Sequence, residues 1–122
     1  MNPVANEARP WKNYSPERDR MLLAAIAERC RRIGQITSHI SKHEFLADFL
    51  YQDAVIQALE VIGEACGKLS PDLREKHTDI AFRQMKELRN ILIHQFDSVD
   101  VERVWIIAKK SVPEFCAKVR RL

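Results

Sequence analysis

The chain reads as an all-α protein, and three observations lead there. Of 122 residues only three are glycine and five proline, while Ala, Leu, Ile, Glu, Lys and Arg are plentiful, a balance that favours helix over sheet. Apolar residues recur at intervals of three and four, the spacing that lines one face of a helix. Serine–proline pairs stand at Ser15–Pro16 and Ser70–Pro71, where the serine suits a helix cap and the proline its first turn. With 46% hydrophobic and 30% charged residues, the length fits one domain around a single core.

Met1 to Tyr14 carry two prolines and no helical period, and are expected to form a loose arm that Trp11 and Tyr14 hold down. A helix starts at Ser15, with Glu17 and Asp19 at the positive end of its dipole. Leu22, Ile26, Cys30, Ile33, Ile36 and Ile40 form its stripe. Arg29, Arg31 and Arg32 lie beside that stripe, either as a solvated face or as a phosphate-binding flank.

The second helix carries the strongest pattern, with Tyr51, Val55, Ala58, Ile62, Ala65 and Leu69 widened by Leu59 and Cys66. Gly63 and Gly67 each cost about 1 kcal/mol relative to alanine inside a helix, which points to a helix crossing or a dimer contact. SPDLREKH makes a short bridging turn of helix. Asp79 is then expected to cap a third long helix with Ala81, Met85, Leu88 and Leu92 inward. Asp97, Ser98 or Asp100 caps the next, bearing Val101, Val104, Trp105 and Ala108. Pro113 is expected to interrupt it before a last short helix with Phe115 and Val119 inward.

Composition narrows the partners. A net charge of +3 permits a polyanion without requiring one. Cys30, Cys66 and Cys116 are odd in number, far apart and without a CxxC pair, so buried thiols in a reducing cytosol are expected rather than a disulfide framework or a zinc site. His39 and His43 have the i, i+4 spacing of helical metal ligands, but no third ligand stands near them, and polar residues at a helix junction are the expected reading. No metal or cofactor is expected. No apolar run suits a secretory signal or a membrane span, so the expected location is cytoplasmic, with no membrane partner.

The chemistry points to LRNILIHQF, residues 88–96. Arg89 and His94 stand five positions apart, about 140° around and about 7.5 Å along one straight helix. One such helix does not aim both at a single small group. Either it loosens between them, or two copies of the chain complete the site. Arginine binds phosphate oxygens with a two-pronged guanidinium, and histidine moves protons near neutral pH.

Taken together, SPERDR, QDAVIQALEVIGEACGKLS, ELRNILIHQF, VDVERVW and VPEF make a chain that resembles the HepT-type HEPN proteins, the toxin half of the HepT/MntA toxin–antitoxin pair. The resemblance covers nearly everything after the arm. It implies an antiparallel HEPN bundle of four to five helices over residues 15–122, a homodimer whose Arg and His residues face one cleft, and metal-independent endoribonuclease activity on RNA, tRNA among the candidate substrates. It places Arg89 and His94 at the catalytic positions, with Asn90, Asp53 and Glu64 in supporting roles such as orienting Arg89. It also implies an MntA-like minimal nucleotidyltransferase as antitoxin partner.

The chain departs from that family at Phe96, where a tyrosine commonly accepts AMP from the nucleotidyltransferase. Phenylalanine has no hydroxyl and cannot be modified there, although its ring is still expected to pack. Neutralisation then falls to coverage of the cleft or to another hydroxyl such as Ser98 or Tyr51, unless this copy is no longer an active toxin. A non-catalytic HEPN subunit that partners a minimal nucleotidyltransferase is the alternative reading.

Overall fold

The computed structural model describes residues 14–122. The expected arm therefore lies outside the described residues apart from Tyr14, whose ring sits 5.7 Å below the Arg18 guanidinium. Helix α1 (Pro16–His39) begins where Ser15 accepts a hydrogen bond from the Arg18 N–H at 3.1 Å, with Pro16 in the first turn. It ends at Ile40, and Ser41 starts α2 (Lys42–Ala47) through a capping box with Glu44. Asp48 closes α2 and caps α3 (Phe49–Lys68) by accepting from the Leu50 N–H at 2.9 Å. Ser70 then caps the short α4 (Pro71–Lys76). Helix α5 spans Phe82–His94 and α6 Val101–Ile106, the latter capped by Asp100. Five π-helical residues, Ile107–Ser111, join α6 to α7 (Val112–Arg120). The described residues contain no strand.

The broad apolar face of α3 makes it the centre of the bundle. Arg29 hydrogen-bonds Gln57, and Asp19 accepts from the Ser70 N–H and hydroxyl, so α1 runs antiparallel to α3. On its other flank α3 meets α5 with Gly63 against Arg89 and Gly67 against Lys86, again antiparallel. Helix α7 lies along α1. Ile26, Ile33, Phe45, Val55, Leu59, Ile62 and Leu69 form the fully buried centre. Phe82 and Phe115 meet edge to face at 5.9 Å between ring centroids, close to the favoured geometry of aromatic pairs.

Three expectations change. Asp79 does not cap α5, whose first position follows Ala81 without a side-chain cap; the Asp79 carbonyl instead accepts from Lys118 Nζ at 2.8 Å. Pro113 does not break the last helix. The ladder slips by one residue just before it, with the Val112 N–H bonded to the Ile107 carbonyl, and the wider π turn carries the chain into α7 without an α-helical bond at the proline.

The cysteines give the third correction. Cys30 of α1 and Cys116 of α7 form a disulfide, with Cα atoms 6.0 Å apart. Their apolar faces pack together and bring the two thiols within the span that a disulfide requires. Only Cys66 keeps to the expected pattern, as a buried free thiol. Burial pushes it up from 9.0 to about 12, partly offset by the nearby Arg74 charge, so it stays protonated in neutral solution.

Candidate active site

Gly63 determines how close α3 and α5 come. A Cβ at this position would overlap Arg89 Cβ and stand 2.6 Å from the Met85 carbonyl oxygen, so only glycine allows this crossing. Of the two readings of the glycines, the helix crossing is what the structure shows. Gly67 is less constrained, since only the Lys86 side chain, at 3.3 Å and beyond, would have to move. Gly34 on α1 has nothing within 4 Å.

These three positions should separate in stability. We expect Gly63→Ala to cost about 1–3 kcal/mol through overpacking. Gly34→Ala should add up to about 1 kcal/mol by helix propensity, and Gly67→Ala should fall between them. Urea midpoints measure the series; a Gly63→Ala midpoint at or above wild type would contradict the crossing.

The crossing delivers Arg89 to the lip of a groove. Its guanidinium makes a 2.9 Å ion pair with Glu64 of α3 and donates to Asn90 Oδ1 at 3.1 Å. With 34% of its side chain exposed, it is fixed on one side and open on the other. Glu64 also pairs with Lys68 at 3.3 Å. Such half-exposed pairs are individually weak, so a stronger anion can displace them.

His94 is the last residue of α5 and is exposed. The helix runs unbroken from Phe82 to His94, so it does not loosen between the two residues. Within one chain Arg89 and His94 therefore diverge. Ile91, Ile93 and Phe96 stand exposed around them.

Asp53 lies elsewhere. It sits three helical turns before Glu64, in a cleft with Gln57, Glu60, Phe96 and Asp97. Of the two carboxylates expected beside Arg89, Glu64 alone reaches it. Phe96 does not pack as expected, because its ring is 82% exposed in the turn after α5 and rims that same cleft. Ser98 is exposed and Tyr51 half-buried.

His39 and His43 fall on either side of the break at Ile40 and Ser41, and His39 Nδ1 lies 2.6 Å from the Gln35 carbonyl oxygen. They mark a helix junction rather than one helical face. Arg31 and Arg32 pair with Glu28, whose carboxyl is lowered to about 2, chiefly by the Arg31 hydrogen bond, so this flank is an ion-paired solvated face. Lys68 and Lys86 beside Arg89 escape a reading of the residues alone. Surface lysines look alike in a sequence, and the crossing of α3 with α5 is what brings these two together.

Residues 26–122 match the family model described as Ribonuclease HepT-like. The chain belongs to the HepT-like ribonuclease family. A protein of Thermococcus cleftensis named as a probable ribonuclease HepT is 38% identical over 100 residues, covering 82% of this chain and 91% of its own. Two Methanocaldococcus jannaschii proteins, each bearing the name 'Putative RNase', are 37% and 39% identical, the first covering 77% of this chain and 86% of its own, the second 81% and 83%. No solved structure gives a significant match. At the level of this HEPN family the activity is that of a ribonuclease, and the all-α bundle agrees with it. No helix among the described residues is long and apolar enough to cross a membrane.

Proposed function

We propose that this HepT-like protein is a metal-independent endoribonuclease toxin of a toxin–antitoxin system, working as a homodimer. The observation that carries the reading is the unbroken α5, with Arg89 held open-faced by Glu64 and Asn90 at one point and His94 exposed at its end. A second copy packed over the exposed Ile91 and Ile93 brings the arginines and histidines of two α5 helices into one cleft. RNA supplies its own nucleophile, the 2′-hydroxyl. One His94 removes that proton, the other protonates the departing 5′-oxygen, and Arg89 neutralises the charge building on the phosphate. The products are a 2′,3′-cyclic phosphate and a free 5′-hydroxyl. Asn90 and Glu64 hold the guanidinium in place.

Induction of the wild-type chain alone, followed by mapping of RNA ends, tests this. Growth arrest with cyclic-phosphate ends supports it; products with 5′-phosphate and 3′-hydroxyl ends would reject the mechanism. tRNA is the first substrate class to map.

A second reading, a non-catalytic subunit that partners a minimal nucleotidyltransferase, is favoured by Phe96. Its exposed ring offers an apolar contact where the family's tyrosine offers a hydroxyl, so on either reading an MntA-like partner acts by covering the cleft. No growth arrest and no cleavage by the wild-type chain would move this reading ahead.

A further inference from the structure

The groove beside Arg89 continues past the arginine. It encloses about 180 Å³ along the glycine face of α3, and its charged lining comprises Arg89, Lys86 and Lys68 against the single carboxylate of Glu64. Lys86 lies across Gly67, with its Cγ, Cδ and Cε 3.3–3.5 Å from where a Cβ would stand. The missing side chain gives the lysine stem a bed. Lys68 follows Gly67 directly on α3. Glu64 bonds both Arg89 and Lys68, at 2.9 and 3.3 Å, so its carboxylate already occupies the place of an anion between two cations.

We propose that Lys68 and Lys86 form a second phosphate subsite, next to the one at Arg89, that takes a neighbouring phosphodiester of a single RNA strand. This rests on the ribonuclease reading above and adds the backbone contact that positions the strand for cleavage. An incoming phosphate draws Lys68 off the Glu64 carboxylate, which stays on Arg89. Lysine suits the task, since a compact charge on a flexible stem accepts a phosphate without reading the base attached to it. Lys68 and Lys86 are positioning residues, and the contact is independent of sequence.

The test separates binding from chemistry. A 2′-O-methyl oligoribonucleotide has no nucleophile, so its affinity for the full chain is measurable whether or not the protein cleaves RNA. Lys68→Gln with Lys86→Gln should weaken binding severalfold and reduce the slope of log affinity against log salt by roughly 0.7 for each lysine that meets a phosphate. Arg83→Gln removes an exposed cation that pairs with Glu87 on the same helix but outside the groove, and should leave the slope unchanged. An unchanged slope in the double lysine variant, or an equal loss in Arg83→Gln, overturns the subsite.

Cleavage gives the second arm. The double variant should raise KM for an oligonucleotide while sparing kcat, and should leave a dinucleotide with one phosphate unaffected. Absence of cleavage by wild type would defeat the ribonuclease reading, and the binding arm would still decide the subsite.

Discussion

Replacing His94 by alanine is expected to slow RNA cleavage by about 10²- to 10⁴-fold, the range that a positioned general acid or base contributes. His94 is exposed at the end of α5, so the change removes no buried contact. Helicity and thermal unfolding should match wild type, and growth arrest should disappear. Arg89→Ala gives a cleaner comparison than its half-buried position suggests. Alanine keeps the Cβ that lies against Gly63, so the helix crossing survives while the guanidinium is lost. Glu64 retains Lys68 as a partner. Both variants should therefore fold and both should fail in a timed assay with a fluorescent RNA. Undiminished cleavage by His94→Ala would remove the histidine from the reaction.

Loss of the Cys30–Cys116 disulfide is expected to destabilise the fold by about 4–5 kcal/mol in the chain-entropy picture, because the bond joins residues 86 positions apart. For a domain of this size each kcal/mol moves the midpoint by about 4 °C, so the shift is on the order of 15–20 °C. Thermal unfolding with and without reductant, beside Cys30→Ser with Cys116→Ser, measures it. Thiol counting supplies the companion result: one free thiol in the oxidised denatured chain, from Cys66, against three after reduction. Three thiols without reductant would refute the pairing.

What the sequence made legible is mostly local. The stripes of α1 and α3 follow from helical periodicity, and Ser15, Ser70 and Asp100 cap helices because a short polar side chain reaches an N–H two or three residues away. What stayed hidden depends on residues far apart in the chain. Lys118 meets the Asp79 carbonyl across 39 positions, and Cys30 meets Cys116 only after α7 settles on α1. Pro113 signals a break when read alone. With Val112, Phe115 and Cys116 buried on both sides of it, continuing the helix costs less than exposing them, and the π turn absorbs the misfit.

The candidate site divides in the same way. The divergence of Arg89 and His94 follows from the helical turn angle, and the α5 backbone keeps it. Glu64 stands beside Arg89 because it adjoins Gly63 at the crossing. Asp53, three turns away along α3, shares a motif with that region of sequence but not a place in the fold.

The contact between Gly63 and Arg89 also bears on how this protein can change by descent. A larger residue at 63 pushes away the helix that presents the arginine, so it harms function without touching a reacting atom. Inheritance treats the two positions differently: a lineage that discards the arginine still carries a Cβ at 89 and the Met85 carbonyl beside it, so the fold itself keeps the glycine. In a panel of descendants, position 63 would report on the helix crossing and position 89 on the chemistry.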